Sequence, residues 1–133
     1  MRSYHIDIVT PDGVEFSGEI ESLLVRTGDG DVEIMAGHAD FVASIGTGRA
    51  RIIENGNRRI AACSGGFITV SEGEAKLVAI TFEFSDNIDK ERAKASKEKA
   101  ENAIASAKDD KTLAQAKAKL ARAMNRLSVC DMK

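Results

Sequence analysis

Glycine and proline stop partway along this chain. All 11 glycines and the single proline, Pro11, lie at or before Gly73, whereas residues 86–133 contain neither and hold 11 alanines. Glycine supplies the positive φ of tight turns and weakens helices, while alanine is the best helix former. The chain of 133 residues therefore reads as a turn-rich domain over 1–85 followed by a helical appendage over 86–133. Charge divides at the same place. Residues 1–85 hold 7 Lys/Arg against 13 Asp/Glu, a charge of −6, and residues 86–133 hold 12 against 8, a charge of +4.

The first part carries the period of strands. Tyr4, Ile6 and Ile8 alternate with His5, Asp7 and Val9, so one face of that segment turns inward. Pro11-Asp12-Gly13 supplies the turn that follows. Further strands are expected over 20–27, 32–35, 49–53, 58–64, 67–70 and 75–84. They are separated by Gly28-Asp29-Gly30, Gly46-Thr47-Gly48, Glu54-Asn55-Gly56-Asn57 and Ser71-Glu72-Gly73-Glu74. Asn55-Gly56 is a two-residue hairpin signal, because both residues tolerate positive φ. Short strands with close turns and no intervening helix give an N-terminal antiparallel β-sandwich or barrel.

The second part carries the period of helices. Ser85, Asp86 and Asn87 offer N-cap oxygens ahead of Ile88, with Asp89 and Glu91 in the first turn, where the helix dipole favours acids. This helix is expected to end near Ala107, with Lys108-Asp109-Asp110 as the turn. Asp110 would cap a second helix running to about Ser128. Leu113, Ala116, Leu120, Ala123 and Leu127 make its apolar face, and Ala93, Ala100, Ala103, Ile104 and Ala107 make a thinner stripe on the first. Small side chains allow close approach as a C-terminal antiparallel two-helix hairpin. The apolar area is modest, so the hairpin is expected to be able to detach.

Several function classes are excluded on chemical grounds. The net charge of −2 and the absence of Trp argue against nucleic acid as a partner. No apolar run approaches the roughly 20 residues of a membrane-spanning helix, and the start has neither signal-peptide nor transit-peptide character, which points to a cytosolic protein. Cys63 and Cys130 lack CxxC spacing and read as reduced thiols. His5 and His38 have no nucleophile partner nearby in sequence, so no catalytic residue is assigned. With the two cysteines they make no metal-ligand spacing. Asp29, Asp31 and Glu33 lack the later bidentate Glu and central Gly of a calcium loop. The glycine pairs are too short for a phosphate loop and read as turns.

The helices hold the most suggestive polar residues. Asp89 and Arg92 lie three apart and can share a face. Lys119, Arg122 and Arg126 form a basic stripe on the second helix, opposite in phase to Leu113, Leu120 and Leu127. That stripe is either a solvated face or an arginine pair that grips phosphates or acidic side chains.

Motifs in order along the chain resemble the epsilon subunit of bacterial F-type ATP synthases. They are Tyr4-His5-Ile6-Asp7-Ile8-Val9-Thr10-Pro11, Phe16-Ser17-Gly18 before Glu19-Ile20-Glu21 (the family's second strand), and Ile34-Met35-Ala36-Gly37-His38-Ala39. Ser64-Gly65-Gly66-Phe67-Ile68-Thr69-Val70 and Ile88-Asp89-Lys90-Glu91-Arg92-Ala93 complete the set. The chain departs from the family in having Ala36 where Pro is usual, and in reading Phe82-Glu83-Phe84-Ser85 before the first helix.

The resemblance implies a non-catalytic rotor subunit at the cytoplasmic face of the bacterial membrane, peripheral to it. Its sandwich would dock on the gamma subunit and the membrane c-ring, with a loop over 31–41 facing the ring and Asp31, Gly37, His38 and Phe41 as contacts. Its hairpin would fold on the sandwich or extend into the alpha/beta catalytic hexamer and block ATP hydrolysis. There Lys117, Lys119, Arg122 and Arg126 would meet an acidic surface. No cofactor is required, but some bacterial members bind ATP as a regulatory ligand. The matching positions are Glu83, Ile88, Asp89, Arg92, Ala93, Arg122 and Arg126. The structural alternative is an Asp89–Arg92 pair that holds the hairpin shut without nucleotide. Two rival functions stand beside this one: a free-standing β-sandwich binding module with a helical oligomerisation arm, and a small hydrolase using His38 and Cys63.

Overall fold

The computed structural model describes residues 2–132, so Met1 and Lys133, the outer ends of the two expected segments, lie outside the described residues. Ten strands come first: β1 (Tyr4–Thr10), β2 (Gly13–Ile20), β3 (Ser22–Thr27), β4 (Gly30–Met35), β5 (Phe41–Ser44), β6 (Gly48–Glu54), β7 (Asn57–Ser64), β8 (Phe67–Ser71), β9 (Glu74–Val78) and β10 (Thr81–Phe84). A 3-10 turn, Ser85–Asn87, leads into α1 (Lys90–Ser106) and α2 (Asp110–Cys130). The strands form two five-stranded sheets, in the orders β2-β1-β9-β8-β5 and β10-β7-β6-β3-β4. Pairing is antiparallel except between β1 and β9, which run parallel.

Alternation builds the core between the sheets. Ile6, Ile8, Ile20, Leu23, Ile34, Ile52, Ile68 and Leu77 are at most 1% exposed, and each sits on the inward phase of its strand. The Asn55-Gly56 turn joins β6 to β7 with φ of 53° and 78°, the two positive values that a tight hairpin needs. Gly66 answers a packing need rather than a turn alone. A Cβ there would lie 1.8 Å from the Val78 carbonyl oxygen, so only glycine lets β8 pass this close to β9.

Three strand expectations change. The inward phase of β2 is Phe16, Gly18 and Ile20, but Gly18 has no side chain to mark it and the apolar Val14 is exposed, so only the family resemblance placed a strand there. β5 has four residues at a sheet edge, too short for a period to register. The single run expected over 75–84 divides at Ala79 and Ile80. Ala79 donates its N–H to Val9 (2.9 Å) and Ile80 donates to Ser64 (3.1 Å). The chain thus leaves one sheet for the other between two apolar stretches that look continuous in sequence.

The helix caps also shift. Asp89, rather than Ser85, Asp86 or Asn87, caps α1, its carboxylate accepting from the Arg92 backbone N–H at 3.1 Å. Asp109, rather than Asp110, caps α2, accepting from the Thr112 N–H at 2.7 Å and its hydroxyl at 3.1 Å. The second helix continues to Cys130 instead of Ser128. In each case the winning residue precedes the first helical φ/ψ and stands three before the N–H it satisfies.

The hairpin packs through alanines. Ala93 and Ala100 of α1 and Ala116 and Ala123 of α2 are 1–4% exposed, while Leu113, Leu120 and Leu127 are only half-buried. Small side chains at the contact let the axes approach and push the leucines to its margins. α2 rests on the outer face of the second sheet, over β6 and β7. Among the described residues no helix is long and apolar enough to cross a membrane.

Candidate functional site

Three contacts hold the hairpin on the sandwich, and a fourth ties its own two ends together. Val129, fully buried on α2, packs against Ile60 and Ala62 of β7, with Ile88 and Met132 beside them. Burying such a side chain contributes about 1.5–3 kcal/mol. One turn back, Arg126 donates from Nε to the Glu83 carboxylate of β10 at 2.6 Å. Asn125 donates from Nδ2 to the Gly48 carbonyl at 2.9 Å. Lys90 Nζ lies 3.1 Å from the Asp131 carboxylate, tying the start of α1 to the end of α2. The Arg126 and Glu83 side chains remain 33% and 34% exposed, so water screens the pair and its worth falls near that of a surface bridge.

Two clefts open beside these contacts. The first, about 340 Å³, lies between the sandwich end and the start of α1. Glu83, Ile88, Asp89, Arg92, Ala93 and Arg126 all line it, so six of the seven residues expected to bind nucleotide come together there. The seventh, Arg122, lines the second cleft of about 260 Å³ between the helices, with Lys99, Lys119 and again Arg126. Arg126 is thus shared by both. The basic stripe of α2 is not a uniformly solvated face, because Arg122 and Arg126 are half-buried against α1 and β10.

Charge separates between the two clefts. The first collects the carboxylates of Asp12, Glu15, Glu83 and Asp89 against Arg92 and Arg126. The second is lined by cations, of which Lys99, Lys119 and Arg122 make no ion pair among the described residues. A polyanion fits the second, and a group rich in N–H donors fits the first.

The latch expected from Asp89 and Arg92 takes another form. Asp89 is spent on the α1 cap, and the ion pairs that close the hairpin are Arg126–Glu83 and Lys90–Asp131. Lys99 and Glu15 did not emerge from sequence reasoning. Lys99 had a signal, since it stands seven residues after Arg92 and so shares its helix face. Glu15 had none: it reaches the cleft only because the β1–β2 turn folds beside β10, where Thr10 donates to its carboxylate at 2.9 Å.

The remaining candidates lie on the sandwich and on α2. Asp31 is in β4 rather than a loop and pairs with Arg26 at 3.5 Å. Gly37 takes φ 84° beside the Arg2 guanidinium. His38 donates from Nδ1 to the Ala39 carbonyl at 2.7 Å, its ring edge-on to Phe41 at 5.5 Å. Lys117 is exposed on α2. His5 lies between Asp7 (3.0 Å) and Glu19 (3.7 Å) on the outer face of β1 and β2. Cys63 and Cys130 are free thiols. Cys63 is 2% exposed and burial pushes its pKa up to about 12. The thiol stays protonated, and the hydrolase reading loses its nucleophile.

Fold and clefts together define a β-sandwich that bears a clamped helical arm, with a polar site at the junction. Comparison with known proteins gives this class its family. The family described as ATP synthase, Delta/Epsilon chain, beta-sandwich domain matches residues 3–85, and its long alpha-helix domain matches residues 86–131. An ATP synthase epsilon chain of Bacillus velezensis is 39% identical over 97% of this chain and 98% of its own length. That of Bacillus subtilis is 37% identical over the same shares. The chain belongs to the ATP synthase epsilon chain family of bacterial F-type enzymes. Among solved structures, a chain of the Euglena gracilis mitochondrial ATP synthase aligns with a TM-score of 0.79 at 20% identity, covering 92% of this chain and 78% of that one. A central-stalk and c-ring structure from Tetrahymena thermophila gives 0.67 at 11% identity, covering 95% of each chain. At these identities the likeness concerns the fold.

Proposed function

We propose that this chain is a non-catalytic subunit of the rotating central stalk of an F-type ATP synthase, peripheral at the cytoplasmic face of the bacterial membrane. The sandwich docks on a gamma subunit and the c-ring, with Asp31, Gly37, His38 and Phe41 on the docking side. The hairpin regulates ATP hydrolysis by exchanging a folded position for an extended one. In the extended state Lys117, Lys119, Arg122 and Arg126 face acidic surface of the alpha/beta hexamer. In the folded state Glu83, Ile88, Asp89, Arg92, Ala93, Arg122 and Arg126 take ATP, phosphates toward the basic cleft.

The observation that carries this reading is the composition of the hairpin's attachment. A small apolar patch around Val129, one partly exposed ion pair and one hydrogen bond make an arm that can let go without disturbing the core beneath it. Deleting residues 86–133 from the reconstituted complex is expected to raise ATP hydrolysis and leave assembly intact. Loss of assembly would contradict the reading. A ligand that binds only the closed arm must stabilise it by mass action. A thermal shift on adding millimolar ATP to the isolated chain therefore tests the nucleotide part. The Arg126–Glu83 pair also favours a second reading, a latch that closes with no nucleotide, in which ATP produces no shift.

A further inference from the structure

Arg126 borders both clefts, and its charge is already taken. Glu83 accepts from its Nε at 2.6 Å, whereas among the described residues Lys99, Lys119 and Arg122 nearby have no carboxylate of their own. A polyphosphate entering the basic cleft meets three unpaired cations and then competes with Glu83 for the fourth. Two costs follow from that competition. The phosphate approaches a carboxylate of like charge that water screens only in part. If Arg126 turns to the phosphate, Glu83 is left among Asp12, Glu15 and Asp89, with Arg92 as the one further cation of its cleft among the described residues. A half-buried carboxylate without a donor is unfavourable. An inorganic polyphosphate gives nothing back to this acceptor-rich cleft. A nucleotide does, because its base carries N–H donors.

We infer that Glu83, through its pair with Arg126, is a specificity determinant that rejects base-free polyphosphates and admits polyphosphates carrying a donor-bearing base. The inference rests on the nucleotide site proposed above and adds to it a repulsive element. Discrimination between two ligands is a difference of affinities, and a penalty against the wrong one serves as well as an added contact to the right one. The penalty falls where the two clefts meet, so it acts on any ligand long enough to span them.

The test is calorimetric titration of the full chain with ATP and with inorganic tripolyphosphate, in wild type and in Glu83→Gln. Glutamine keeps the shape and removes the charge that competes for Arg126. Tripolyphosphate is expected to bind Glu83→Gln about threefold or more tightly than wild type, the scale of a partly exposed ion pair. ATP is expected to gain less or to weaken, so the preference for ATP narrows. In an Arg126→Ala background the competition for the arginine is gone, so the same change is expected to keep only the gain from the removed like charge. Glu83→Thr, suited to a strand, carries the same expectation should glutamine disturb β10, and circular dichroism reports whether the helices persist. Equal weakening of both ligands would mean that Glu83 only holds the hairpin shut, and would overturn the inference. Unchanged tripolyphosphate affinity would overturn it too. If wild type binds ATP and the preference does not move, the specificity claim alone fails. If wild type binds neither ligand, the nucleotide site fails and takes this inference with it.

Discussion

The sandwich and the hairpin bury different things. Between the sheets lie large aliphatic side chains such as Ile6, Leu23, Ile52 and Ile68, each at most 1% exposed. Between the helices lie alanines, and where α2 meets the sheet the buried side chains among the described residues are only Val129, Ile60 and Ala62. Stability scales with apolar area removed from water, so the two parts have unequal reserves. What the hairpin lacks in area it replaces with directional polar contacts, Arg126–Glu83, Asn125–Gly48 and Lys90–Asp131. Directional contacts break and reform at little cost when water is near. The comparison teaches that a fixed platform and a movable arm can share one chain because their interiors are built from different residues.

The sharpest way to break this comparison is to damage each interior and see what unfolds. Ile68→Ala removes a fully buried side chain from the sandwich and is expected to cost about 2–5 kcal/mol of global stability in denaturant unfolding. Val129→Ala is expected to cost about 1–2 kcal/mol, felt as loss of hairpin attachment with sandwich amide dispersion unchanged. If Val129→Ala lowers the sandwich's own unfolding midpoint as much as Ile68→Ala does, the two parts are one cooperative unit. In the same spirit, a fragment of residues 1–85 is expected to fold alone, with dispersed amide signals and no helix.

Smaller effects sharpen the account. Arg126→Ala removes a pair about one-third exposed and is expected to cost under about 1 kcal/mol of hairpin closure. A distance probe between α2 and β7 would read it. The pH dependence has two opposite signs. The Asp131 carboxylate holds the Lys90 ammonium above the ordinary 10.5. That contribution is whole below the ordinary lysine range and is lost as pH rises through the folded value. The Thr112 N–H and hydroxyl hold the Asp109 carboxyl below the ordinary 3.8. That contribution is whole above the ordinary value and is lost as pH falls through the folded one. Both groups are exposed, so helical ellipticity is expected to stay flat between these ends and to slip slightly at each.

Both secondary-structure types, and their order along the chain, were readable because glycine, proline and alanine act locally. Asn55-Gly56 announced its turn for the same reason. β2 was silent to periodicity because its inward phase holds a glycine, Gly18, between Phe16 and Ile20, and the break at Ala79–Ile80 was hidden because a change of sheet needs no polar residue. At the site, Asp89 with Arg92 and the α2 arginines were visible as spacing, and the resemblance supplied the whole Ile88-to-Ala93 motif. Their union with Glu83 was carried by the resemblance, since Glu83 and Arg126 are 43 residues apart. Asn125 could not be read as an anchor, because its acceptor is a backbone carbonyl, which has no signature in sequence.

Residue-resolved hydrogen exchange on the isolated chain, with and without ATP, tests the central claim most directly. Amides of α1 and α2 are expected to exchange through an opening that leaves the strands β1, β3, β6 and β8 protected. Millimolar ATP is expected to slow the helical amides and leave those strands as they were. Helices and strands exchanging through one common opening, with the same response to ATP, would contradict a movable arm on a fixed platform.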